Sequence, residues 1–157
     1  MTPTVLLDEL AAYLLAENSK YWVTEMPGKT LTVQPGFLKK RQAASEQPFP
    51  YIVPRFMKSS DDSDGSTVTV RIYFGTYSED IEHGWREVMT LMENSRLALL
   101  RKRTIARRFR LQMPLTIELT EDQPYPEWVG YITAVYTMPA PEEETGMSNY
   151  QAGPNGL

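Results

Sequence analysis

The chain has 157 residues, of which 41% are hydrophobic and 23% charged, with a formal net charge of -4. That is the make-up of one globular domain, able at this length to bury about two thirds of its unfolded surface. The absence of cysteine excludes disulfides, thiolate zinc sites and a cysteine nucleophile, and suits a reducing compartment. No window approaches the roughly 20 apolar residues of a membrane-crossing helix, and the first residues lack the basic and apolar blocks of a signal peptide.

In chain order, Thr2 is an N-cap candidate and Pro3 suits a first helical position, with Asp8 and Glu9 expected near the positive end of the dipole. Leu6, Leu7, Leu10, Leu14 and Leu15 recur on one side, which predicts an amphipathic helix over residues 3–17. Its polar face carries acids, so it reads as a helix packed on a sheet rather than on a membrane. Tyr21-Trp22-Val23-Thr24 and Leu31-Thr32-Val33 are short strand candidates around a turn at Pro27-Gly28. Residues 34–48 are expected as a long loop that holds the basic triplet Lys39, Lys40 and Arg41.

Tyr51-Ile52-Val53-Pro54-Arg55-Phe56-Met57 reads as a strand. Pro54 lacks an N–H and must lie at a sheet edge or a bulge. Residues 59–66 include Asp61, Asp62, Asp64 and Gly65 and read as a solvated hairpin loop. A calcium loop fails on spacing, because no Glu follows Gly65 before Glu79. The next run, Thr67-Val68-Thr69-Val70-Arg71-Ile72-Tyr73-Phe74, alternates polar and apolar as a half-buried strand does.

Ser78 is the expected cap of a long helix, with Glu79, Asp80 and Glu82 in its first turn. Gly84 weakens that turn, so the regular part is expected from Trp85. Ile81, Trp85, Val88, Met92, Ser95 and Leu99 share one face, and Trp85 is expected in the core. Arg101, Lys102 and Arg103 fall at the negative end of the dipole. Phe109, Leu111, Met113, Leu115, Ile117 and Leu119 alternate with polar residues and predict a strand. Residues 121–126 form a turn, and residues 128–138 a return strand, apolar on both sides, hence central or facing another subunit. Residues 1–139 are thus one α+β domain: a twisted, mostly antiparallel sheet with an N-terminal helix and a long central helix on one face. Residues 140–157 turn to Pro, Glu, Gly, Ser and Asn and are expected to be a flexible tail, ordered only when a neighbour holds it.

No pattern suited to bond-breaking chemistry emerges. His83 is the single histidine, and a catalytic metal generally needs three converging ligands. No Gly-x-Ser-x-Gly elbow and no phosphate-binding glycine loop occurs, and Glu118 with Glu121 reads as a solvated turn. The chain is therefore expected not to be an enzyme and to carry no cofactor. Charge is segregated instead. Six of the ten positions from 101 to 110 are Lys or Arg, and none of residues 111–157 is. Arg101, Arg103, Arg107 and Arg108 can stabilise the helix terminus and face solvent. They can meet acids of a neighbouring copy, or they can contact DNA phosphates in a salt-dependent way.

The segments Tyr73-Phe74-Gly75-Thr76-Tyr77-Ser78-Glu79-Asp80, Gly84-Trp85 with its helix, Phe109-Arg110-Leu111-Gln112-Met113-Pro114-Leu115 and Pro124-Tyr125-Pro126-Glu127-Trp128-Val129-Gly130 resemble long-tailed bacteriophage neck and tail proteins. With the opening helix and the strand at 50–56, the sequence resembles the tail terminator (tail completion) family of siphophages over residues 3–139. That resemblance implies a structural virion protein, assembled in the host cytoplasm. It implies a ring, hexameric in that family, on the head-proximal end of the tail tube, which ends tube polymerisation and joins the head connector. The implied partners are copies of the chain, the major tail tube protein and a connector or neck protein; DNA only passes through the lumen, and no membrane is involved. Another neck protein (head completion or head–tail joining) or a tube subunit would look similar, and a DNA-binding accessory protein is the alternative of another class. Lys39, Lys40, Arg41, Arg101, Arg103, Arg107, Arg108, Glu121 and Asp122 are the expected subunit or tube interface.

Overall fold

The structure is a computed structural model and describes residues 2–25, 30–38 and 48–144. The fold is α+β. Helix α1 (Pro3–Glu25) precedes strands β1 (Thr32–Val33), β2 (Tyr51–Asp62) and β3 (Gly65–Tyr77). Helix α2 (Trp85–Arg101) follows, then β4 (Thr104–Ile105), β5 (Phe109–Leu119) and β6 (Glu127–Met138). The strands form one six-stranded sheet in the order β1-β2-β3-β6-β5-β4. Only β1 and β2 run parallel; the other neighbours are antiparallel.

The core lies between the two helices and one face of this sheet. Val68, Val70, Ile72 and Phe74 of β3 and Trp128, Ile132, Ala134 and Tyr136 of β6 are buried on that face. They pack with Leu6, Leu10 and Leu14 of α1 and with Val88, Leu91, Met92 and Leu99 of α2. The strand period of two and the helix period of 3.6 put these side chains on facing surfaces. The expected central strand is β6, which pairs with β3 on one side and β5 on the other.

Several local expectations need correction. Tyr21–Thr24, expected as a strand, continues α1 to Glu25. Extending a formed helix adds a hydrogen bond for each residue fixed, which outweighs the mild strand preference of four aromatic and β-branched residues. Thr2 serves this helix through its carbonyl, which accepts the N–H of Val5 at 3.0 Å, and no acid lies in the first turn. The loop expected at 59–66 is mostly strand: β2 and β3 run on to Asp62 and Gly65. The Asp64 N–H donates to Asp62 Oδ1 at 2.8 Å, and Gly65 supplies a φ of +134°. This half of the hairpin is exposed, so the apolar alternation that marks a strand is missing there.

Helix α2 begins only at Trp85, with no side chain capping it. Ser78 Oγ accepts the N–H of Asp80 at 3.2 Å, and Asp80 Oδ1 accepts those of Glu82 and His83 at 3.0 and 3.1 Å. These bonds make a separate turn ahead of the helix. Ile81 and Trp85 are consequently exposed, by 69% and 38%, whereas Trp128 is buried. Met113, expected on the half-buried face of β5, is also exposed, because the register with β6 slips between Gln112 and Thr116.

Pro54 lies on β2, the strand flanked on its outer side only by the two-residue β1. Its carbonyl accepts the Gly36 N–H at 2.8 Å, so the side of Pro54 that lacks a donor meets the short edge segment rather than β3. Residues 140–144 are exposed and carry no regular structure, and the rest of the expected tail lies outside the described residues.

Candidate subunit interface

The segment from Arg101 to Arg110 joins α2 to β5. Lys102 closes the helix, its N–H donating to the Ala98 carbonyl at 3.1 Å. That same carbonyl accepts the Tyr13 hydroxyl at 2.7 Å. Arg101 Nη2 lies 3.8 Å from Glu17 Oε2, and Lys102 Nζ lies 4.9 Å from the Tyr13 ring centroid. The first two cations therefore tie α1 to the end of α2. Burial, then the Glu17 charge, holds the Tyr13 hydroxyl above its ordinary pKa, while Arg101 pulls it down.

The next four cations behave differently. The chain turns back from β4 to β5 with the Arg108 N–H donating to the Ile105 carbonyl at 3.1 Å. Ala106 and Arg107 both have left-handed backbones, with φ of 51° and 62°. A left-handed backbone at two residues in a row is normally the place of Asn and Gly in a tight turn. This tight turn projects Arg107 and Arg108 from the sheet, and both are exposed. Arg103 Nε donates to the Leu100 carbonyl at 3.2 Å, and Arg110 Nη1 to Thr104 Oγ1 at 3.3 Å. Among the described residues none of Arg103, Arg107, Arg108 and Arg110 has a carboxylate in ion-pair range.

Glu121 and Asp122 do not join this cluster. They lie in the exposed turn between β5 and β6, a strand length of about 30 Å from the Arg107 turn. Gln123 builds that turn: its Nε2 donates to the Thr120 and Val129 carbonyls at 2.7 and 2.9 Å, and its Oε1 accepts the Val129 N–H at 2.7 Å. Lys39, Lys40 and Arg41 lie outside the described residues. Of the expected interface, then, the structure brings together Arg101, Arg103, Arg107 and Arg108 and separates them from Glu121 and Asp122.

His83 sits in the exposed turn before α2, its Nδ1 3.3 Å from Asp80 Oδ2. The His83 N–H, and after it that of Glu82, holds the Asp80 carboxyl below the usual carboxylate range. This is turn chemistry. Glu118 lies on the other face of β5, where its hydrogen bond with Tyr131 raises the tyrosine pKa.

One surface was not singled out in the sequence: the sheet face away from the helices. Arg71 lies over the Tyr131 ring at 4.6 Å, and Arg55 over Tyr73 and Phe37 at 4.5 and 4.2 Å. Tyr73 and Tyr131 are cross-strand partners with ring centroids 5.9 Å apart. The odd positions of β6, Val129, Tyr131 and Val135, read as an apolar side suited to another subunit, whereas those of β3 at 67, 69 and 71 read as a polar side. A third feature is a groove of about 390 Å³ between α2 and β5, lined by Met89, Glu93, Arg96, Leu97 and Ile117.

No family model matches this sequence, and no curated protein is similar to it. Among solved structures, the "Structure of bacteriophage SPP1 gp17 protein" is similar over 88% of this chain and 94% of that chain, with a TM-score of 0.46 and 14% sequence identity. A likeness this distant carries no argument about function.

Proposed function

We propose that this protein is a structural component of a long-tailed phage virion that assembles as a ring on the head-proximal end of the tail tube. The ring ends tube polymerisation and offers its far side to the head connector or neck. The observation that carries the reading is the unpaired cationic turn. Four guanidiniums stand at one end of β5 with no carboxylate in ion-pair range among the described residues, in a chain whose net charge is -4. Such a surface is suited to a charged partner and to head-to-tail contacts that close on themselves. The virion assignment draws on the resemblance of the segments at 73–85, 109–115 and 124–130 to tail terminators.

Light scattering and electron microscopy of the purified protein, with and without tail tubes, test the reading. Rings at tube ends are expected. Loss of association both with tubes and with itself at high concentration would sink it, and unlimited polymerisation of the protein alone would make it a tube subunit instead.

The same four guanidiniums favour a second reading, contact with nucleic-acid phosphates. Binding of duplex DNA measured across a salt series decides it. Phosphate contact requires affinity that falls steeply as salt rises, and no affinity at low salt ends the idea.

A further inference from the structure

The two edges of the sheet are complementary to each other, at matching heights along the strands. Pairing places Ser60, Thr67, Thr137, Arg110 and Thr104 in one row across β2, β3, β6, β5 and β4. The adjacent row toward the hairpin tip begins at Asp61, opposite Ser66 and Met138. Asp61, Asp62 and Asp64 thus occupy one edge of the sheet at the height where the β4–β5 turn carries Arg107 and Arg108 at the other, with Arg110 on β5 just inside the two-residue edge strand β4. These acids, like the arginines, form no ion pair among the described residues.

A second property repeats the match one step down the strands. Phe56 and Met57 are exposed by 43% and 41% on the acidic edge. Phe56 pairs with Val70, whose row is buried on the helix face. On the opposite edge, the apolar groove opens between α2 and β5 on that same face, with Leu97 exposed by 47%. Its floor residue Ile117 lies in the row of Ile132, Ile72 and Pro54, which shares a face with the row of Phe56 and is separated from it by the row of Arg55.

Resting on the ring reading above, we propose that the β2 edge of one copy docks on the side of the next formed by the β4–β5 hairpin and α2. Asp61, Asp62 and Asp64 meet Arg107, Arg108 and Arg110, and Phe56 with Met57 enters the groove at Leu97 and Ile117. The occupant of each edge is a second copy of this chain. Copies set side by side, with strands aligned and helices on the same side, bring both pairs of features together without sliding along the strands. The strand directions of this sheet alternate from β2 to β5, so the arrangement also keeps β2 of one copy antiparallel to β5 of its neighbour. The contact is heterologous, as a ring requires.

Two charge-reversed variants test it by sedimentation velocity: Asp61→Lys with Asp62→Lys and Asp64→Lys, and Arg107→Glu with Arg108→Glu and Arg110→Glu. Each alone should self-associate at least about tenfold more weakly than wild type, and an equimolar mixture should regain association. A mixture no better than its components would overturn the proposal. So would wild-type affinity in either variant. A second arm needs no charge change. Because the chain has no cysteine, Asp62→Cys combined with Arg107→Cys is a clean pair. Asp62 lies on β2 and Arg107 in the β4–β5 turn, at least three strand spacings or about 14 Å away, too far for a disulfide within one copy. Oxidation of the assembled protein should give covalent multimers, and monomers alone would refute the contact. If wild type associates neither with itself nor on tail tubes, the ring reading fails as well; if it assembles but ignores the reversals and the cysteines, only this contact falls.

Discussion

Trp128 fills the space that a side chain on Gly84 would need. Its indole Nε1 donates to the Ser78 carbonyl at 2.9 Å, and a Cβ at Gly84 would stand 2.5 Å from that nitrogen. Tyr125 reinforces the same junction: its ring lies edge-on to Trp128 at 6.2 Å, and its hydroxyl donates to the Glu79 carbonyl at 2.7 Å. The turn before α2 and the entry to β6 are thereby clasped together.

Trp128→Ala should destabilise the fold by about 3–5 kcal/mol, the range for a buried aromatic truncation. Trp85→Ala should cost less than about 1 kcal/mol, because Trp85 is a surface residue held by a bond to the Glu82 carbonyl at 3.0 Å and by Arg86 stacked over its ring at 4.9 Å. Urea denaturation of the two variants checks the order. Equal losses would show that Trp85 is buried after all.

Tyr136 is fully buried and its hydroxyl has no hydrogen-bond partner among the described residues. Burial, and then the nearby Tyr13, pushes its pKa far above the ordinary tyrosine value of 10.0. The folded state therefore holds this proton more tightly than the unfolded chain. Its contribution is fully present below about pH 10 and is lost as pH rises further. Tyr136→Phe should leave the melting temperature unchanged or raise it at neutral pH and move alkaline unfolding to higher pH. A loss above about 1 kcal/mol would mean that the hydroxyl has a partner.

Asn18 links α1 to α2 from inside the core. Its Nδ2 donates to the Leu14 carbonyl at 2.9 Å and to Ser95 Oγ at 3.0 Å, and its Oδ1 accepts from Asn94 Nδ2 at 2.9 Å. Asn18→Ala should cost about 1–3 kcal/mol by stranding those groups. Adding Ser95→Ala should cost less than it does in the wild-type background, and a double-mutant cycle reads the coupling. Strict additivity would show that the two side chains act independently.

The left-handed pair at Ala106 and Arg107 sets stability against assembly. Replacing them by Asn and Gly relieves backbone strain of about 1–2 kcal/mol per residue at most and should raise the melting temperature. It also removes the Arg107 guanidinium, so association should weaken while the monomer becomes more stable. A variant that lost both, or gained both, would show that the turn serves a single purpose.

Local periodicity in the sequence determined much of this molecule. Strands β3, β5 and β6 alternate with period two against a buried face, and the buried positions of α2 from Val88 to Leu99 recur at helical spacing, so each could be read from a short window. The cationic run before β5 was legible for the same reason. The tertiary structure alone decided the extent of α1 beyond residue 17, the strand character of 59–62, and the choice of Trp128 over Trp85 for the core. It also decided that Asp61 and Arg110 stand at nearly one height toward opposite edges of the sheet while Glu121 lies at the far end. These depend on strand register and on which surface a residue meets. Both are set by contacts between segments distant in the chain, and an exposed hairpin leaves no apolar pattern to announce itself.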